Sequence, residues 1–198
     1  MRSLLALLLA SVVALAAEPN RALVFSKTVG FRHKDSIPLG NELLAKQFKA
    51  AGLEVDITED AAVFTTENLA KYRAVAFMST TGDVMGDVVA KDASKEAKAA
   101  SEKAAVARRA AFQVWMENGG AFVGVHAASD AGAAEKYWPW FAQMVGGLFA
   151  GHPAQQVAIL RPLDKDHPAN KHLGAEWKRK DEWYSFRNLA SDNTVLLE

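Results

Sequence analysis

The sequence predicts an α/β protein with a mainly parallel sheet and helices on both faces. Three observations carry that reading. Short apolar runs that read as strands recur at residues 22–26, 74–78 and 122–125. Stretches with helical spacing or strongly helix-forming composition separate them. Strands that alternate with helices form βαβ units, which build a parallel sheet covered on both sides.

The first strand is expected at residues 22–26, a compact apolar run behind a charged residue. Residues 36–51 then place Ile37, Leu39, Leu43, Leu44, Phe48 and Ala51 near helical spacing, and Gly52 supplies the stop. Leu53-Glu54-Val55-Asp56-Ile57 alternates apolar and acidic residues, as a half-exposed edge strand does. The run 74–78 is unbroken and reads as buried. Residues 88–118 are rich in alanine, lysine and glutamate, a composition that favours helix. The first half of that stretch has little to bury, whereas Phe112, Trp115 and Met116 can dock on a sheet. Gly119 stands where a helix C-cap residue would. Residues 122–125 are expected to form a buried fourth strand, and 155–160 and 194–197 further strands.

Composition narrows the class. Arg2, the apolar run 4–10 and the Ala14-Leu15-Ala16 pattern make residues 1–17 read as a secretory signal peptide. The mature chain is then expected to begin near Ala17 or Glu18 and to work in the periplasm or as a secreted protein. The apolar run falls short of the roughly 20 residues of a membrane-spanning helix, so no membrane span is expected. About 180 residues remain, enough for one domain with a sizeable core. Lysine plus arginine equal aspartate plus glutamate at 23 each. That balance argues against a nucleic-acid partner, which calls for a basic excess. The short basic clusters Arg108-Arg109 and Lys178-Arg179-Lys180 read as solvated faces. The sequence has no cysteine. Disulfides, thiolate metal ligands and a cysteine nucleophile are thereby excluded.

In an open parallel sheet, ligands gather just outside the carboxyl ends of the strands. Two histidines belong there: His33, in the loop after the first strand, and His126, at the end of the fourth. They are expected to share a pocket, and either imidazole can move a proton or ligate a metal. His152 and His167 each precede a proline, which keeps them out of helices. Asp166-His167-Pro168 reads as a turn, and His172 as a surface residue. Asp181-Glu182-Trp183-Tyr184 has two readings. Carboxylates beside flat rings suit a carbohydrate pocket, while a buried tryptophan flanked by solvated acids would look the same. Gly146-Gly147 permits tight turning or close packing.

These motifs together resemble the ThuA-like family, the trehalose-utilisation proteins. The matching pieces are Gly30-Phe31-Arg32-His33, Glu59-Asp60, the run from Glu117 through Gly119, Gly120 and His126 to Ala128, and Trp138-Pro139-Trp140. The match continues with Val145-Gly146-Gly147-Leu148-Phe149, His152-Pro153, Asp166-His167-Pro168-Ala169 and Asp181-Glu182-Trp183-Tyr184. The resemblance implies a flavodoxin-like three-layer sandwich, similar to class I glutamine amidotransferases, and an association with sugars, including keto-disaccharides. It places His126 where the amidotransferases carry their nucleophilic cysteine, so amidotransferase chemistry is not expected. The polar run 91–107 looks longer than the family's usual connection and is expected to project as a helix. Family members also continue beyond the position of Glu198 into another histidine-containing segment. The domain 18–198 is accordingly expected to lack its C-terminal segment.

The resulting expectation is an enzyme (isomerase, lyase or hydrolase) acting on a small-molecule carbohydrate. His33, His126 and Glu182 form its catalytic set, and Arg32, His152, Asp181, Trp183 and Tyr184 its substrate-binding set. Two alternatives stand beside it. One is a non-catalytic carbohydrate-binding module using Trp183, Tyr184, Trp138 and Trp140 as platforms. The other is a metal-dependent hydrolase holding a divalent metal on His33, His126 and Glu182. The sequence carries no signal for the oligomeric state.

Overall fold

The computed structural model describes residues 19–131 and 138–198; the expected signal peptide lies outside them. Strands β1 (Arg21–Phe25), β2 (Glu54–Thr58), β3 (Tyr72–Met78) and β5 (Ala121–Val125) form one sheet in the order β2-β1-β3-β5. Every neighbouring pair in it is parallel. Between β3 and β5 a two-residue strand, β4 (Thr81–Gly82), pairs with β6 (Asp130–Ala131) just beyond the sheet's carboxyl edge.

Alternation along the central strands sends side chains to two cores. Leu23, Phe25, Val75 and Phe77 point to one face, where they meet Phe64, Phe112 and Phe141. Val24, Ala76 and Met78 point to the other, where Leu44 and Phe48 cover them. Those two belong to helix α1 (Ser36–Ala50). The first face is covered by α2 (Thr66–Leu69), α3 (Lys95–Glu117) and α4 (Pro139–Met144). The result is the expected three-layer α/β architecture. Phe77 sits at the centre of the larger core beside Phe112, with ring centroids 5.3 Å from Phe25, 5.6 Å from Phe112, 5.2 Å from Phe122 and 5.7 Å from Phe141. Each such pair adds about 0.5–1.5 kcal/mol beyond its area burial.

Helix α3 starts at Lys95, later than the composition suggests, because the Ser94 hydroxyl accepts the Ala97 N–H at 3.2 Å and sets the N-terminus there. Its first turns are solvated. Ala105, Arg109 and Phe112 of the second half are buried, and the Arg109 guanidinium is neutralised by Asp83 at 2.7 Å and Glu102 at 3.2 Å. Gly119 ends the helix with φ +95°, and a Cβ on Gly120 would come within 2.5 Å of the Trp115 ring. That close approach lets the Trp115 indole donate to the Tyr72 carbonyl at 3.0 Å.

Three expectations change. The strand at 122–125 forms, as β5, but it is not buried: Val123 is 39% exposed. Among the described residues β5 pairs with β3 alone, so its outward face is open. Residues 155–160 give β8 (Gln156–Leu160), which joins β9 (Trp177–Asp181) in a separate antiparallel ribbon. Residues 194–197 form no strand; Leu197 makes only an isolated bridge to Pro162. A second antiparallel pair, β7 (Leu148–Gly151) with β10 (Ser185–Arg187), crosses near the end of β5. Its two ends deliver His152 and Glu182–Tyr184 to the sheet's carboxyl edge. No helix among the described residues is long and apolar enough to cross a membrane.

Candidate functional site

Strand β5 ends at Val125, and a single 3-10 turn, His126–Ser129, begins at once. That abrupt change is taken up at His126, whose φ is +54°. A non-glycine residue in this left-handed region carries a strain of about 1–3 kcal/mol, and here it aims the imidazole above the sheet edge. Burial of Ala127 and Ala128 behind it anchors the turn.

His33 arrives from the loop between β1 and α1, as the sequence predicts. The two imidazole rings lie 4.6 Å apart, edge to face. His152, just past β7, and Glu182, just past β9, close the group. Three Nε2 atoms surround one carboxylate oxygen, Glu182 Oε2: His126 at 3.5 Å, His152 at 3.6 Å and His33 at 3.9 Å. That oxygen is buried and has no hydrogen-bond partner among the described residues; the same holds for His33 Nδ1. Ligand atoms of His33, His126 and Glu182 all lie within 4.8 Å of one another, a spacing that suits a metal ion.

Tyr184 ties the group together. Its hydroxyl lies 3.1 Å from His126 Nδ1, and its ring stacks on that of His152 at 5.4 Å and 19°. His152 Nδ1 donates to the Pro153 carbonyl at 2.9 Å. Burial and the nearby His33 hold the His126 imidazole below its ordinary pKa, against the opposing pull of Glu182 and Asp181. Burial, reinforced by Glu182, pushes the Tyr184 phenol well above its usual range. The phenol is therefore a neutral hydrogen-bonding group at every physiological pH.

His33, His152, Glu182 and Tyr184 line a cavity of about 300 Å³ together with Phe31, Thr81, Ala127, Asp130 and Phe149, while His126 lines a neighbouring cavity of about 250 Å³ with Phe122, Ser129 and Phe186. Burial raises the Asp130 carboxyl above its ordinary value, partly offset by Arg187. A larger cavity of about 490 Å³ lies beside α4, lined by residues such as Gln143, Asn188 and Asp192. It has no histidine and no paired carboxylates in its lining, so the 300 Å³ cavity is the candidate site.

Of the residues singled out from sequence, His33, His126, His152, Glu182 and Tyr184 come together. Arg32, Asp181 and Trp183 do not line the cavity. The Arg32 guanidinium turns to Glu59, at 2.6 and 3.0 Å. Asp181 pairs with Arg179 and accepts the Glu182 N–H at 2.9 Å. The Trp183 indole donates to the Gln156 carbonyl at 2.8 Å. Trp138 is 3% exposed and stacks on Phe141 in the core, and Trp140 packs against the same core. Neither is a platform for sugar. His167 shapes a turn, accepting the Ala169 N–H at 3.2 Å, and His172 is exposed, both as expected. Asp130, Thr81 and Phe149 were not foreseen. An acid four residues beyond His126 was the one available signal; Thr81 and Phe149 reach the pocket through tertiary packing alone.

Fold and site together define an α/β protein with a histidine–carboxylate pocket at the carboxyl edge of a parallel sheet. The sequence matches the ThuA family, trehalose utilisation, over residues 21–198, and the chain belongs to that family. Membership associates it with trehalose utilisation and sugar metabolism. The structure is similar to that of a ThuA-like protein from Bacteroides uniformis ATCC 8492, 25% identical, covering 95% of this chain and 71% of that one with a TM-score of 0.63. It also shares its fold with a ThuA-like protein from Parabacteroides merdae ATCC 43184, 19% identical, covering 90% and 67% of the two chains with a TM-score of 0.59. These likenesses agree with a flavodoxin-like sandwich. No curated protein matches the sequence.

Proposed function

We propose that this protein is an extracytoplasmic enzyme of sugar metabolism, acting on a sugar or keto-disaccharide by histidine/carboxylate acid–base chemistry. The observation that carries the reading is the convergence of three imidazoles on Glu182, with His33, His152 and Glu182 itself lining one cavity. Aromatic rings of Phe31, Phe149 and Tyr184 line the same space, and Asp130 adds a second carboxyl. Flat rings cover the apolar faces of a sugar, while carboxylates and imidazoles take up its hydroxyls. At about 300 Å³ the cavity is at the small end for ligand pockets. It suits one sugar ring, with a second ring at the mouth.

A keto group acidifies the C–H bonds next to it. Isomerisation, hydration or elimination then needs a base to take that proton and an acid to return it. Burial and the nearby His33 favour the neutral, proton-accepting form of His126, and Asp130 places a second carboxyl in the cavity beside them. The extracytoplasmic setting is supported by the composition of residues 1–17.

The test compares turnover of 3-keto-disaccharides by the intact protein and by His126→Ala. Loss of proton-transfer catalysis lowers the rate by about 10²–10⁴-fold. Equal rates in the two proteins would refute the reading.

A further inference from the structure

We propose that His33, His126, His152 and Glu182 form a binding site for one divalent first-row transition-metal cation of the zinc type. The argument begins with the distances. At 3.5, 3.6 and 3.9 Å the three Nε2 atoms are too far from Glu182 Oε2 for hydrogen bonds. They are nevertheless gathered around it from three separate segments of chain. Metal–nitrogen and metal–oxygen bonds of ~2.0–2.2 Å at tetrahedral angles put neighbouring ligand atoms ~3.4 Å apart. The three spacings to Glu182 Oε2 approach that value; the ligand atoms of His33, His126 and Glu182 all lie within 4.8 Å of one another, so binding the ion draws these side chains together and brings His152 in as the fourth ligand.

Tautomers strengthen the case. His152 Nδ1 faces the Pro153 carbonyl, a pure acceptor, so the ring proton of the neutral imidazole sits on Nδ1. Its Nε2 then presents a lone pair to the lone pairs of Glu182 Oε2. A buried carboxylate oxygen facing such a nitrogen is unfavourable unless a positive charge lies between them. Protonating all three imidazoles would crowd three cations into one pocket, whereas one divalent ion answers every lone pair at once. His126 is served likewise: its Nδ1–H can donate to the Tyr184 oxygen at 3.1 Å, which leaves Nε2 free to ligate. Three imidazoles with a single carboxylate select zinc-like ions over magnesium or calcium, which prefer oxygen. Expanded to a fifth position, the cation would polarise a keto or hydroxyl oxygen of the sugar; with His126 on the metal, proton transfer would fall to Asp130 instead. That part in turnover rests on the enzyme reading above; the binding rests on the geometry.

The full chain, purified without chelator and then stripped with EDTA, is titrated with ZnCl₂ by calorimetry. The expected result is one zinc per chain, with affinity reduced at least ~10-fold in both His152→Ala and Glu182→Gln. Unchanged far-ultraviolet circular dichroism establishes that the variants are folded. Failure of the wild-type chain to bind zinc, or wild-type affinity in both variants, overturns the site. Keto-sugar turnover by stripped protein that zinc does not enhance removes the cation's part and spares the enzyme reading. Stoichiometric, ligand-dependent zinc binding without turnover of any keto-sugar does the reverse.

Discussion

Tyr184 holds His126 by one bond, hydroxyl to Nδ1 at 3.1 Å, and the two rings meet at 4.9 Å. That bond orients an imidazole whose backbone is already confined by its positive φ. Tyr184→Phe deletes it while keeping the ring that stacks on His152. The expected outcome is a ~10–100-fold loss of zinc affinity, typical of losing an outer partner of a metal-bound histidine. Calorimetric titration measures it, and wild-type affinity would show that the phenol has no such role.

Asp130 stands apart from the imidazole cluster but lines the same cavity. Asp130→Asn preserves shape and removes the titratable carboxyl. Turnover of a keto-sugar should fall by about 10²–10⁴-fold with zinc affinity unchanged. Parallel kinetic and calorimetric measurements decide this, since a fall in both would make Asp130 a support for the cluster instead.

Phe77 makes ring contacts with five other aromatic side chains and is fully buried. Phe77→Ala should destabilise the fold by about 3–5 kcal/mol. Urea denaturation would register this as a lower midpoint, and a change under 1 kcal/mol would mean that the core collapses to fill the gap.

At the amino edge of the sheet, Asp56 accepts from Arg21 at 2.6 and 3.0 Å and from Tyr72 at 2.7 Å. The Arg21 bonds hold its carboxyl below the usual carboxylate value, with burial opposing and Tyr72 adding to the effect. A depressed folded-state pKa contributes stability that is present above the ordinary carboxylate range and is lost as pH falls through the depressed value. Because both side chains are only partly buried and solvent screens the pair, the contribution is about 1 kcal/mol or less. Thermal melts from neutral to acid pH should therefore show a shallower acid-side decline in Asp56→Asn; identical slopes would remove Asp56 from the account.

Legibility followed locality. The strands β1, β2 and β3 and helix α1 are written in contiguous apolar patterns, and Gly52 and Gly119 punctuate them with positive φ. The start of α3 was hidden because alanine and charge run evenly through residues 88–118, and only the Ser94 cap breaks the sequence. The pairing of Leu148–Gly151 with Ser185–Arg187 left no local trace, because both segments are short and their partners are distant in the chain. The site divides in the same way. His33 and His126 sit in strand-end loops, where position alone marks them. Glu182 was marked by its aromatic neighbours, yet the same tetrapeptide also suggested Asp181 and Trp183, whose polar atoms satisfy the β8–β9 ribbon instead. Sequence could not say which members of that tetrapeptide turn inward, since that depends on how the ribbon is set against β7 and β10.

The twist at residue 126 has an evolutionary reading. Glycine would adopt that backbone freely, so folding alone gives no reason to keep an imidazole there. A survey of this one position among natural variants would then separate lineages that retain the chemistry, with histidine, from those that have kept only the scaffold and let glycine relax it.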